Sequence, residues 1–262
     1  MPLAMDEFVR IVEDIAPREL AYDWDNSGLL LRCGDTVSNV LIALDATLTV
    51  ADEAERNGCD LILVHHPLIF SPVKALNCHK PQDAVLMKLI RSKISLYAAH
   101  TTFDRADGGI NDVLAGILGL KDTKAIPGAG ESLMRIGDLP QTLEKDALLA
   151  RVKSALSVKS LRVSQTACLN ISRVAVVGGS GGDFIAAAKE QGAQALVTGE
   201  AKHHHFIEAA AYGILLIEAG HYDTECAFAD AIYISLQSRL NEVQLDLGLK
   251  KAENEKAPYA FD

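Results

Sequence analysis

The chain has 262 residues, 49% hydrophobic and 23% charged, with a net charge of −10 and an isoelectric point near 5.3. That length supports one large core or two small ones, and the acidic balance argues against broad polyanion binding, nucleic acid included. Aromatic residues make up only 5%, which argues against a stacking platform for single strands.

Cysteines at 33, 59, 78, 168 and 226 are odd in number and widely spaced, without a CxxC. They read as reduced thiols of a cytoplasmic protein. The start, MPLAMDEFVR, carries acids where a signal peptide needs bases, and no apolar run is long enough to span a membrane.

In chain order, the pattern predicts an amphipathic helix over Met5–Ala16, ended by Pro17. Asp25, Asn26, Ser27 and Gly28 supply turn chemistry ahead of a strand that ends at Leu31. Val40–Asp45 reads as a buried strand and Thr49–Asn57 as a helix closed by Gly58. The apolar run Leu61–Val64 is a strand delivering His65 and His66, with Pro67 ending regular pairing. Alternation along a strand points these two histidines to opposite sides. A helix over Gln82–Ser92 and a strand over Ile94–Ala99 lead to His100 and Asp104, followed by a helix over Ile110–Leu118. After IPGAGES come a strand over Ser132–Leu139, a helix over Leu143–Leu156, a short strand over Leu161–Ser164 and a strand over Arg173–Val177. The run GGSGGD, a helix over Asp183–Gln191, a strand over Ala195–Thr198 and a helix over Ala201–Tyr212 follow. The last strand, Ile214–Ala219, leads to His221 and Glu225, then to a long helix over Glu225–Leu240. The tail from Lys250 is polar and expected to be loose.

Strands alternating with helices indicate an α/β fold with mostly parallel sheets. The halves 1–124 and 125–262 resemble each other. Val40–Leu44 lies over Arg173–Val177, His65-His66 falls opposite Gly199-Glu200, and His100-x3-Asp104 matches His221-x3-Glu225. Every histidine but His79 lies at or beyond a strand's carboxyl end, where open α/β sheets bind ligands. Imidazoles and carboxylates without thiolates suit zinc, iron, manganese, cobalt or nickel. Five or more such groups fit two divalent metal ions better than one open site. GGSGGD resembles a phosphate loop without the Walker lysine. It can cradle an anion or serve only as a strand–helix turn.

WDNSGLL, VLIALD, LVHHPLIF, AAHTTFD with GGIND, TGE with HH, and AGHYDTE together resemble the GTP cyclohydrolase 1 type 2 homologues, the Nif-three-like dinuclear metal proteins. The resemblance spans nearly the whole chain and fits the short form without an inserted domain. It implies two intertwined α/β/α repeats, a toroidal homohexamer, and two metals held by His65, His66, Asp104, His221 and Glu225. His100 and Glu200 are the candidate catalytic residues, as proton-transfer groups. One of His203, His204 and His205 can share that role.

The expected function is a metal-dependent hydrolase using a metal-bridging water. Its substrate is a small molecule: by the resemblance a guanine nucleotide whose imidazole ring is opened, with an amide or phosphoester open to the same chemistry. The alternative is a non-enzymatic metal carrier, chaperone or assembly scaffold.

Overall fold

The computed structural model describes residues 2–126, 133–166 and 170–260. Cys168, most of the IPGAGES loop and the start of the strand expected at Ser132 lie outside them. The described strands are β1 (Leu3–Ala4), β2 (Gly28–Leu31), β3 (Thr36–Val37), β4 (Asn39–Ala43), β5 (Leu61–Val64), β6 (Ser95–Ala98) and β7 (Lys121–Ala125). They continue as β8 (Arg135–Glu144), β9 (Arg162–Val163), β10 (Asn170–Val177), β11 (Ala195–Thr198), β12 (Leu215–Glu218) and β13 (Gly248–Lys251). The helices are α1 (Met5–Ile15), α2 (Leu48–Arg56), α3 (Pro81–Ser92), α4 (Thr101–Arg105) and α5 (Ile110–Ile117). After them come α6 (Lys145–Leu156), α7 (Ile185–Glu190), α8 (His203–Tyr212), α9 (His221–Glu225) and α10 (Phe228–Glu242).

These elements form two compact units. One is Met1–Ala106 with Phe228–Lys256, the other Asp107–Ala227 with Ala257–Asp262. The cuts differ from the repeats 1–124 and 125–262. In the second unit α5 packs on β8 and β10, and β7 pairs antiparallel with β8. Phe228, at the head of α10, returns the chain to the first unit.

The first unit holds a sheet of order β13-β4-β5-β6-β2. Its strands β4, β5 and β6 are parallel, and β2 is antiparallel at the edge. All four residues of β5 are buried. Buried on both faces, they need no polar alternation, which is why the run reads as continuously apolar. One sheet face is covered by the core around Val50, Ala54, Val85 and Leu89 of α2 and α3.

The second unit repeats the pattern in the order β7-β8-β10-β11-β12-β9. Strands β10, β11 and β12 are parallel, and β9 is antiparallel at the edge. Separate apolar clusters cover its faces, one with Leu114, Leu148 and Val152, the other with Ile185, Ala188 and Ala209. The fold is α/β with two similar repeats and mostly parallel sheets.

Four expectations change in detail. Paired to β5, Val40 sits opposite Leu61, and paired to β11, Val174 sits opposite Ala195. Val40 is therefore equivalent to Val174, one residue on from Arg173. His100 caps α4 and Gly220 caps α9, so His221 is equivalent to Thr101 and Glu225 to Arg105. The helix expected from Glu225 onward is two, α9 and α10. The tail is held rather than loose. Strand β13 pairs parallel with β4, and buried Glu53 accepts hydrogen bonds from the backbone N–H groups of Glu253 and Asn254. Among the described residues, no helix is long and apolar enough to cross a membrane.

Candidate metal centre

The first unit gathers three imidazoles. His65 and His66 follow β5, and their backbone N–H groups both donate to Leu44 O, at 3.1 and 3.0 Å. Strand alternation has therefore ended at Val64. The two rings do not diverge as expected but lie 4.9 Å apart. His100, beyond β6, stands 5.3 Å from the His65 ring and 5.8 Å from the His66 ring. One ring nitrogen from each of the three lies within 4.8 Å of the other two.

Each of these rings is held through Nδ1. His65 donates from Nδ1 to Ala99 O at 3.0 Å. His66 donates to Asp45 Oδ1 at 2.9 Å and His100 to Asp25 Oδ1 at 2.7 Å. Carbonyl and carboxylate oxygens only accept, so in neutral imidazoles the proton stays on Nδ1 and the lone pair on Nε2. This is the carboxylate–imidazole arrangement that orients metal-ligating histidines. Asp25 also accepts from Ser27 Oγ at 2.7 Å and Thr101 Oγ1 at 2.5 Å. Burial pushes its carboxyl up, but the bonds from His100, Thr101 and Ser27 outweigh that and hold it well below the usual carboxylate range. It therefore stays ionised opposite His100.

Asp104, on α4, is buried, with Oδ1 3.6 Å from His65 Nε2. The His65 ring is wholly enclosed, packed at 4.9 Å against Phe228. An imidazole and a carboxylate brought together out of water fit a cation between them.

The second unit contributes a smaller set. His221 Nε2 lies 3.0 Å from Glu225 Oε2, and Nδ1 lies 3.3 Å from Glu200 Oε2. Ser180 Oγ donates to Glu200 at 2.9 Å. Glu200 thus flanks His221 on its Nδ1 side, as Asp45 flanks His66, but at a longer distance. Glu225 is buried, and the glycine run forms its wall. Gly179 has φ +58°, and a Cβ there would collide with the Glu225 carboxylate.

The same run is tied down by side chains. The N–H groups of Gly178, Gly179 and Gly181 already donate to Asn111 Oδ1, Thr224 Oγ1 and Thr198 Oγ1, at 2.7, 3.2 and 2.8 Å. Its strand–helix turn role stands.

His203, His204 and His205 open α8. His205 is buried, accepts the Lys202 N–H at Nδ1 (3.0 Å), and faces Asp183 Oδ1 with Nε2 (3.0 Å). Its proton therefore sits on Nε2. As a ligand there it would have to become an imidazolate. His203 and His204 are exposed. Sequence spacing missed Asp25 and assigned Asp45 no partner, because both lie on loops remote from the histidines they hold.

The profile of Duf34/NIF3 (NGG1p interacting factor 3) matches residues 3–258. The chain belongs to the DUF34/NIF3 family. A GTP cyclohydrolase 1 type 2 homolog from Clostridium acetobutylicum is 32% identical over 271 residues, covering 100% of both chains. A protein of Helicobacter pylori named GTP cyclohydrolase 1 type 2 is 35% identical over 228 residues, covering 85% of this chain and 87% of that one. Among solved NIF3-like structures, a hypothetical protein of Staphylococcus aureus superposes with a TM-score of 0.93 at 27% identity, covering 100% of both chains. The imidazoles and carboxylates of this NIF3-family chain form groups that could hold a metal.

Proposed function

We propose that this NIF3-family protein is a dinuclear metal-dependent hydrolase of the GTP cyclohydrolase kind. One observation carries the reading: three imidazoles, each held at Nδ1 by an oxygen acceptor, bring one ring nitrogen apiece within 4.8 Å of the others. By the family resemblance, two divalent ions would be held by His65, His66, Asp104, His221 and Glu225. Such ions supply a hydroxide-like nucleophile near neutral pH and a Lewis acid for the bond to be cleaved.

The chain's own part is orientation and proton handling. Ala99 O, Asp45 and Glu200 fix the rings of His65, His66 and His221. Asp25 keeps His100 Nδ1 protonated, so His100 Nε2 is the nitrogen able to take a proton. The names of the relatives support a guanine nucleotide as the substrate class, with its imidazole ring opened by hydrolysis. On the family resemblance we read the assembly as a toroidal homohexamer in the cytoplasm, a mass that sedimentation measures directly.

The test is elemental analysis of protein purified without chelator or added metal, beside Glu225→Ala. GTP and a small ester and phosphoester panel are assayed on both. About two ions per chain, falling in the variant together with turnover, is the expected result. Two ions without turnover on any substrate would favour a carrier, chaperone or scaffold. No transition metal in either protein would overturn the site.

A further inference from the structure

Beside the imidazole cluster, the first unit holds an aromatic group in an otherwise aromatic-poor chain. Trp24 and Phe70 are 57% and 52% exposed. Their rings lie 6.0 Å apart and tilted by 38°. Both meet the His100 ring edge-on, at 6.1 and 6.5 Å. Scattered exposed apolar residues mean little, but two large rings touching each other and a site histidine form a patch.

The patch is built, not loose. Tyr22 stacks behind Trp24 at 5.3 Å and 16°. The Arg105 guanidinium lies over Tyr22 at 4.6 Å and donates to Leu20 O. Asn26 Nδ2 donates to Ile69 O at 2.5 Å, tying the Trp24 loop to the Phe70 loop. Asp25, next to Trp24, anchors that loop to His100 and Thr101. Rings held this way lose little freedom on binding.

We propose that Trp24 and Phe70 are specificity residues that stack a planar heteroaromatic ring of purine size beside the imidazoles. The proposal rests on the hydrolase reading and narrows it. An indole face recognises any flat ring by its π surface and gives nothing to a ringless ester or phosphoester. Phe70 also lines a cleft of about 440 Å³ with Lys74 and Lys80, cations suited to an anionic tail on such a ring.

Trp24 is the only tryptophan of the chain, so its fluorescence reports on this patch alone. The purified protein is titrated with guanosine and GTP. Ribose 5-phosphate and tripolyphosphate serve as ringless controls, and inner-filter absorption is corrected. Saturable quenching by guanosine and GTP, absent with both controls, is expected. Phe70→Ala should weaken it about 10- to 100-fold while metal content and assembly mass stay unchanged. No saturable quenching, or equal quenching by tripolyphosphate, overturns the proposal. So does a change of assembly mass in Phe70→Ala or Trp24→Ala, which would make the patch a contact between copies. If metal content and turnover are normal but quenching is absent, only the ring site falls. If quenching is normal without metal or turnover, the hydrolase reading falls and the ring site remains.

Discussion

Two histidine clusters in this molecule share residue types and differ in one hydrogen bond. In the first unit, His65, His66 and His100 donate from Nδ1 to oxygen. In the second, His205 accepts at Nδ1 from a backbone N–H and sends its Nε2 proton toward Asp183. Asp183, His204 and His205 also come within metal-binding range of one another. Proximity alone therefore does not separate the clusters. The direction of the bond at Nδ1 does, because it decides which nitrogen keeps its lone pair. His205 is a helix cap, closing the first turn of α8 onto Lys202. His65 and His66 are poised as ligands, and His100, with the same tautomer, is poised to take a proton.

The comparison breaks most directly by deleting one ring from each cluster. His66→Ala should lower metal affinity by more than about 100-fold, since it removes a donor and not merely its support. His205→Ala should leave metal content unchanged and cost about 1 kcal/mol through the lost cap. Elemental analysis and thermal unfolding of the two variants provide the check. Equal loss of metal from both would show that the Nδ1 criterion fails here.

Asp25→Asn sharpens the same criterion without touching a ring. An amide no longer enforces a proton on His100 Nδ1, so His100 Nε2 is no longer reliably free to take a proton, and turnover should fall about 10- to 100-fold with metal content kept. A stability effect follows in metal-free protein. The Asp25 carboxyl is held below its ordinary range when folded, so its ionised form stabilises the native state above about pH 4. That contribution is lost as pH falls through the lowered value. Unfolding across pH should show Asp25→Asn less stable than the parent at pH 7, with the gap closing in acid. A gap that widened toward low pH would contradict the sign.

Much of this architecture is legible from the chain because buried parallel strands are unambiguous. Leu61–Val64 and Ala195–Thr198 are apolar throughout, short and bounded by turns. Strands β7 and β13 were missed for the opposite reason. Their sequences, KDTKA and GLKK, are polar and mostly exposed, and only pairing to a neighbour makes them strands. The equivalence of the repeats slipped by one residue beyond the last parallel strands. His-x3-Asp and His-x3-Glu invite alignment, yet His100 sits at a cap and His221 inside a helix. The histidines and acids of the site were visible as residue types. Their supports were not, since Asp25 is 75 residues from His100. The glycine run looked like an anion loop, because spacing shows glycines but not the side chains that take their N–H groups.

The smallest effect concerns Glu200, where two roles give different signatures. From the sequence it is a proton-transfer candidate, and in the structure it stands 3.3 Å from His221 Nδ1 with its side chain 58% exposed. A carboxylate so open to water is weakly coupled to its partner, unlike the enclosed Asp25. Glu200→Gln should therefore reduce metal affinity less than about 10-fold, far below the effect of His66→Ala. The amide also keeps the volume and can still meet His221, so folding should not suffer. Metal titration beside a pH–rate profile separates the roles. A small loss of metal with an unmoved profile identifies an orienting group. Full metal with a collapsed rate and a missing ionisation in the profile would mean that Glu200 carries the proton itself.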